Sequence, residues 1–199
     1  MRIKTLTLAT SIAMLAFILF ACKESGGGTF ADTRDKKTYK IVKIGKQVWM
    51  AENLNYNADG SKCYENQESN CQKYGRLYNW ETAKSACPSS WHLPSNEEWQ
   101  VLVDLAASSG ERAENMLKAS NGWENNGNGE DTFGFSALPS GVSDSSGVFR
   151  SIGKFGYWWS STESNASSAI SRGMNYSRAG VHRGEVAKTH LYSVRCVQD

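Results

Sequence analysis

The chain has 199 residues, with 22 Lys and Arg against 20 Asp and Glu. Charges of both signs are interspersed, which excludes the basic stripe of a nucleic-acid binder, so no nucleic-acid partner is expected. The 7 Trp and 8 Tyr exclude an aromatic-poor disordered chain, and 18 Gly against 3 Pro predict a folded domain rich in turns.

The first segment decides the compartment. Arg2 and Lys4 precede an apolar run over residues 6–20, broken only by Thr7, Thr10 and Ser11. The run falls short of the roughly 20 apolar residues of a membrane-spanning helix and has the proportions of a signal-peptide core. It ends in Leu19-Phe20-Ala21-Cys22, which resembles a bacterial lipobox. Small Ala21 suits a peptidase pocket and the Cys22 thiol takes the lipid, although Phe20 is bulkier than the usual residue there. Residues 1–21 are read as a signal peptide and 22–29 as a lipid-anchored tether, because Lys23-Glu24-Ser25-Gly26-Gly27-Gly28 is polar and Gly-rich. Loss of Arg2 and Lys4 takes the basic count from 22 to 20, equal to the 20 acidic residues, so the mature chain is formally neutral. Lys23 stands where an Asp retains some lipoproteins at the inner membrane. The expected location is therefore the outer membrane or cell surface, with the membrane reached through the lipid anchor.

Residues 30–199 are read as one domain, long enough for a sizeable core. Residues 37–54 predict strand, from Tyr39, Ile41, Val42, Ile44, Val48 and Trp49 around a Gly45-Lys46 turn. Residues 55–72 read as a polar loop. Asn79 predicts the cap of a short helix over 80–86. Ser95-Asn96-Glu97-Glu98 is a capping box ahead of Trp99, Leu102, Val103 and Ala106, the spacing of one apolar helix face. Ser108-Ser109-Gly110 ends that helix, and residues 111–119 predict a third. Beyond Gly122 the helical period vanishes. Residues 121–131 read as loop, and 133–138, 148–152, 157–161, 170–176 and 191–197 predict strands. The order predicts an α+β fold, with short helices in the first half and a small antiparallel sheet with long loops in the second.

With Cys22 set aside, Cys63, Cys71, Cys87 and Cys196 remain. An even number in an exported chain reads as two disulfides. Three pairings are possible. The preferred one is a local clip, Cys63–Cys71, with Cys87–Cys196 tying the middle of the chain to its end. No Cys-x-x-Cys pair supports a metal site instead.

Several blocks resemble the Fibrobacter succinogenes major paralogous domain. They are the run from Val42 to Tyr56 (Val-Lys-Ile-Gly-Lys-Gln-Val-Trp-Met-Ala-Glu-Asn-Leu-Asn-Tyr), Tyr74-Gly75-Arg76-Leu77-Tyr78-Asn79-Trp80 and Trp91-His92-Leu93-Pro94-Ser95. Gly134-Phe135-Ser136-Ala137-Leu138-Pro139-Ser140-Gly141, Trp159-Ser160-Ser161-Thr162 and Ser193-Val194-Arg195-Cys196 complete the pattern, which covers residues 30–197. In outline that family is similar to the C-type lectin-like fold, where a helix cysteine pairs with one in the last strand; Cys87 and Cys196 occupy matching places. It is also similar to the sulfatase-modifying group through Leu93-Pro94-Ser95-Asn96-Glu97-Glu98-Trp99. The resemblance implies a C-type lectin-like α+β fold. It implies neither chemistry, because the Glu-Pro-Asn, Gln-Pro-Asp and Trp-Asn-Asp triplets of calcium-type lectins and a second C-terminal cysteine are all missing.

No catalytic constellation emerges. His92, between Trp91 and Leu93, reads as a packed, hydrogen-bonded residue, and His182 and His190 as surface. Residues 55–60 mimic half of a calcium loop, but its twelfth position carries Asn66 and not a bidentate acid. Glu130 and Asp131 read as turn residues. No catalytic residue, metal or cofactor is expected. The aromatics are more suggestive, because flat rings cover the apolar C–H faces of sugars at little entropic cost. Strand neighbours face opposite sides of a sheet. Of Trp158 and Trp159, Trp158 is expected outside, and Trp123 in its polar loop is the second ligand-binding candidate. Trp49, Trp80, Trp91 and Trp99 are expected in the core. The expectation is a non-catalytic surface module binding polysaccharide or another surface polymer. The alternatives are a structural or interaction module whose partner is a surface protein, and an unrecognised enzyme.

Overall fold

Alternation along the strands builds this molecule, but both faces of the alternation are apolar. Tyr39 and Ile41 pack into one hydrophobic cluster, Val42 and Ile44 into another. The same split separates Trp49 from Met50, Trp158 from Trp159 and Val197 from Cys196. Strands of this kind lie between two covered layers and not against solvent.

The computed structural model describes residues 27–199. The expected signal peptide, the expected lipidation site Cys22 and the first residues read as tether lie outside the described residues. The elements run β1 (Gly27–Ala31), β2 (Thr38–Ile44), β3 (Gln47–Met50), α1 (Glu68–Tyr74), β4 (Leu77–Tyr78), α2 (Trp80–Ala86), β5 (Trp91–His92), α3 (Asn96–Ala107) and α4 (Ala113–Leu117). They continue as β6 (Val142–Ser143), β7 (Phe149–Arg150), β8 (Phe155–Asn165), β9 (Ser168–Asn175), β10 (His182–Ala187), β11 (Tyr192–Ser193) and β12 (Val197–Gln198). The fold is α+β. One five-stranded sheet has the order β1-β2-β3-β12-β5, a second β10-β9-β8-β11-β4, and β6-β7 is a small hairpin. The last strand sits inside the first sheet, with Val197 opposite both Trp49 and His92.

Each cluster has its own helical cover. Trp99, Leu102 and Ala106 of α3 and Met116 and Leu117 of α4 close the first; Trp80, Ala83 and Ala86 of α2 close the second. The predicted caps are present: Asn79 Oδ1 accepts the Thr82 amide, and Ser95 and Glu98 form a reciprocal capping box. Glu98 does more than cap. Its second oxygen lies 2.8 Å from His92 Nε2, and Asp199 lies 2.6 Å from Nδ1 of the same ring. Partial burial opposes the imidazolium, but these two carboxylates override it and raise the His92 pKa.

Between the sheets lies a buried polar hub. Arg195 is fully enclosed; burial pushes its guanidinium down to about 9, so it remains charged at neutral pH. Its Nη2 donates to Asn53 Oδ1 at 2.7 Å and to Ser136 O at 3.3 Å, and its Nε to Asn53 Oδ1 at 3.1 Å. Its Nη1 donates to the Met50 and Phe135 carbonyls. Asn53 Oδ1 also accepts Trp158 Nε1 at 2.9 Å, while its Nδ2 donates to Tyr74 O at 2.8 Å. One asparagine just after β3 thus joins β8, α1 and the segment before β12.

Several expectations are corrected. Residues 27–29 belong to β1, paired with β2, and not to the tether; their Gly-rich composition conceals a strand whose partner supplies the side chains. The 55–72 loop contains a 3-10 turn (Tyr64–Asn66) and most of α1, which the cysteine clip encloses. Residues 133–138 form no strand, because Arg195 takes the carbonyls of Phe135 and Ser136. The single antiparallel sheet is instead two sheets, one including a parallel pairing of β11 with β8. Residues 182–187, whose charges give no strand pattern in the sequence, form the edge strand β10.

The disulfides are Cys63–Cys71 and Cys87–Cys196, bridging 8 and 109 residues of sequence. Such bridges persist in oxidising compartments. Among the described residues no helix is long and apolar enough to cross a membrane. In the chain-entropy account, closing a loop of about 100 residues stabilises by about 4.7 kcal/mol and a very short one by about 2–3 kcal/mol. Urea unfolding of the paired Cys87→Ser/Cys196→Ser variant should therefore show a loss about 2 kcal/mol larger than that of Cys63→Ser/Cys71→Ser; equal losses would count against the closure argument. Asn53→Ala strands a buried cation and should cost about 3–5 kcal/mol in the same assay, with the m-value unchanged.

Candidate functional site

Trp158 and Trp159 are both fully buried. Trp158 packs on Trp99 of α3 at 6.2 Å and is tied to Asn53; Trp159 packs on Tyr192 at 4.8 Å and donates to Tyr78 O at 2.7 Å. The expectation of an outward Trp158 assumed one wet face on the sheet, and at Trp158 and Trp159 this sheet is covered on both. Trp123 is buried as well: its loop folds inward, Nε1 donates to Ala137 O at 3.0 Å, and the Lys118 ammonium sits 5.1 Å from the ring centre. Neither candidate tryptophan presents a ring face for stacking. The expected core residues Trp49, Trp80, Trp91 and Trp99 are all buried.

The partly exposed aromatic surface is elsewhere on the same strand. Phe155, Tyr157 and Trp159 share the face of β8 opposite Trp158, by the two-residue period. α2 covers only one end of that face, where Trp80 Nε1 donates to Ser160 O at 2.8 Å. Toward the start of β8 the rings come into view, with Tyr157 and Phe155 half-buried. The four rings form a continuous series. Trp159 meets Tyr192, Tyr192 lies 4.9 Å from Tyr157 with planes 16° apart, and Tyr157 lies 5.7 Å from Phe155 with planes 5° apart. The buried end anchors the exposed end.

The neighbouring strand makes room for this strip. Gly173 of β9 pairs with Tyr157 on one side and His182 of β10 on the other. A Cβ at position 173 would stand 2.8 Å from Tyr157 Cδ1 and Cε1, so the ring lies directly on the glycine backbone. The result is a cleft of about 180 Å³ lined by Phe155, Tyr157, Asn175, Arg178 and His182. That is smaller than the roughly 300–1,000 Å³ of pockets that enclose a drug-sized molecule. It suits a single ring laid on the surface.

Its rim is built. Asn175 is almost fully buried, and its Oδ1 accepts the amides of Ser177 at 2.9 Å and Arg178 at 2.6 Å. This Asx turn fixes the amide's orientation and sets the start of the segment that carries Arg178. Burial raises the Tyr157 phenol pKa, and the nearby Arg178 charge partly offsets that rise. Sequence reading missed this site although its period was visible, since Phe155 and Tyr157 fall in register with Trp159. What the sequence lacked was where α2 stops covering the strand.

A second concavity, about 410 Å³, lies between β2 and residues 131–136. Burial raises the Asp131 carboxyl pKa, while the Ser136 amide at 2.7 Å and hydroxyl at 2.5 Å are hydrogen-bonded to it. Asp131 and Ser136 both adopt left-handed backbone, with φ of 51° and 52°. Asp131 thus holds a tight loop, as its turn chemistry predicts. Cys63, Glu68 and Cys71 also cluster, but both sulfurs are spent in the disulfide.

The model of the Fibrobacter succinogenes major domain matches residues 42–198. No curated protein and no solved structure matches the chain.

Gly173→Val tests the geometry of the strip. The added side chain must displace Tyr157, an overpacking cost of about 1–3 kcal/mol, and the near-ultraviolet circular dichroism of the tyrosines should change. An unaltered spectrum and melting temperature would show that the ring does not rest on this glycine.

Proposed function

The chain belongs to the Fibrobacter succinogenes major domain family, and from that premise we propose that it is a lipid-anchored, extracytoplasmic binding module whose aromatic strip takes a sugar polymer. The single observation that carries this reading is the ring series from buried Trp159 to half-exposed Phe155, opening on a shallow cleft with polar donors. Pre-ordered rings lose little entropy on contact, and a cleft of about 180 Å³ has room for one unit of a long chain.

Two further features support it. The Cys87–Cys196 bridge, from the end of α2 to the segment before the last strand, has the placement expected of a C-type lectin-like outline. The leader with Cys22, followed by a short polar segment, suits a domain held close to an outer-membrane or cell surface, where external polymers are met. The role is one of binding and not of catalysis.

The mature chain in detergent should be retained on at least one insoluble polysaccharide from a panel. Phe155→Ala and Tyr157→Ala should each weaken retention about tenfold, the equivalent of about 1.4 kcal/mol. Melting curves should establish that both variants remain folded. Full retention by both folded variants would remove the strip from the site. Retention on no polymer, with a stoichiometric envelope protein recovered instead, would favour a protein-interaction module.

A further inference from the structure

We propose that the polymer recognised by this strip is acidic, with a sugar carboxylate held by Arg178 beside the Phe155–Tyr157 rings. This deepens the binding reading above and rests on it. The polar chemistry of the cleft points one way. Among the described residues, neither the Arg178 guanidinium nor the His182 ring has a hydrogen-bond or ion-pair partner, although both line the cleft. No Asp or Glu lines it. Asn175 adds a third donor. Its oxygen is occupied by two backbone amides, so the end left for a ligand is the Nδ2 amide, which has no partner among the described residues on a side chain that is only 5% exposed.

A site for a neutral sugar needs acceptors as well as donors, because each hydroxyl both gives and takes a hydrogen bond. Here no carboxylate or free carbonyl side chain supplies an acceptor: Arg178 and the Asn175 Nδ2 amide only donate, while the Tyr157 hydroxyl and one His182 ring nitrogen can also accept. Where cations lie beside carboxylates on this surface they pair with them, as Lys188 does with Glu163, Arg150 with Asp144 and Lys154 with Glu124; the cleft has no such carboxylate. Arg178 is left free at the place where the aromatic strip opens. A planar carboxylate matches the guanidinium fork bidentately, and a sugar ring carrying it offers C–H groups to Phe155 and Tyr157. The partly desolvated cleft strengthens such a contact relative to one in open water.

The test uses the full mature chain in detergent with polygalacturonate and alginate, each against its own carboxyl-reduced neutral form, and with dextran sulfate as a sulfated arm. The acidic forms should bind at least tenfold more tightly than their neutral counterparts, and that ratio should fall as salt is raised. Arg178→Gln should bring the ratio close to one, and Arg178→Lys, which keeps the charge without the fork, should restore part of it. Equal binding of acidic and reduced forms, with both lost in Phe155→Ala, would overturn the inference and leave the strip standing as a sugar site. A preference for dextran sulfate over both carboxylated polymers, or an acidic preference that survives Arg178→Gln, would also overturn it. Binding to none of these polymers would overturn it too, and would overturn the strip reading itself if no polysaccharide of the wider panel is retained either.

Discussion

A guanidinium enclosed without a paired carboxylate is the constraint on which the rest of this structure depends. Taking a charge out of water costs several kcal/mol, and hydrogen bonds to charged groups each return about 1.5–3 kcal/mol. Arg195 is satisfied by neutral groups from distant parts of the chain: Asn53, and the carbonyls of Met50, Phe135 and Ser136. None of these is local. The charge is tolerable only when the first hairpin, the 131–136 loop and the C-terminal segment have all arrived, so the hub rewards the complete fold and penalises partial ones. The long Cys87–Cys196 closure acts in the same direction, by limiting the unfolded chain.

The hub also explains where the candidate site can be. Trp158 is drawn to Asn53, which commits one face of β8 to the interior beneath α3. The opposite face must then carry Trp159, Tyr157 and Phe155, and α2 is too short to cover them all. The aromatic strip is what remains of a two-sided core where its second cover ends. Gly173 then lets the Cδ1–Cε1 edge of the half-buried Tyr157 ring rest on the strand backbone, and the Asn175 turn sets the cationic segment beside it.

Local signals were legible in the sequence. The Asn79 cap, the Ser95–Glu98 box and the Trp99–Leu102–Ala106 face depend on neighbours within a few residues, and each is present. The disulfide pairing was also readable, from the short Cys63–Cys71 spacing and the family resemblance for Cys87–Cys196. Non-local partners were not. β1 looks like linker because its stabilising side chains belong to β2, and 133–138 looks like strand because nothing nearby reveals that Arg195 will claim its carbonyls. Trp123 and Trp158 show the same limit. Period-2 logic correctly put Trp158 and Trp159 on opposite faces, but the number of covered faces is a property of the assembled layers.

Native-state hydrogen exchange tests most directly whether the Arg195–Asn53 hub makes the two sheets one unit. The slowest amides of β3 in the first sheet and of β8 and β9 in the second should open with a single free energy, equal to that of global unfolding. If β8–β10 instead exchange through an opening several kcal/mol cheaper than that of β2–β3, the sheets are separable. The hub would then be a passive contact and not the constraint that joins them.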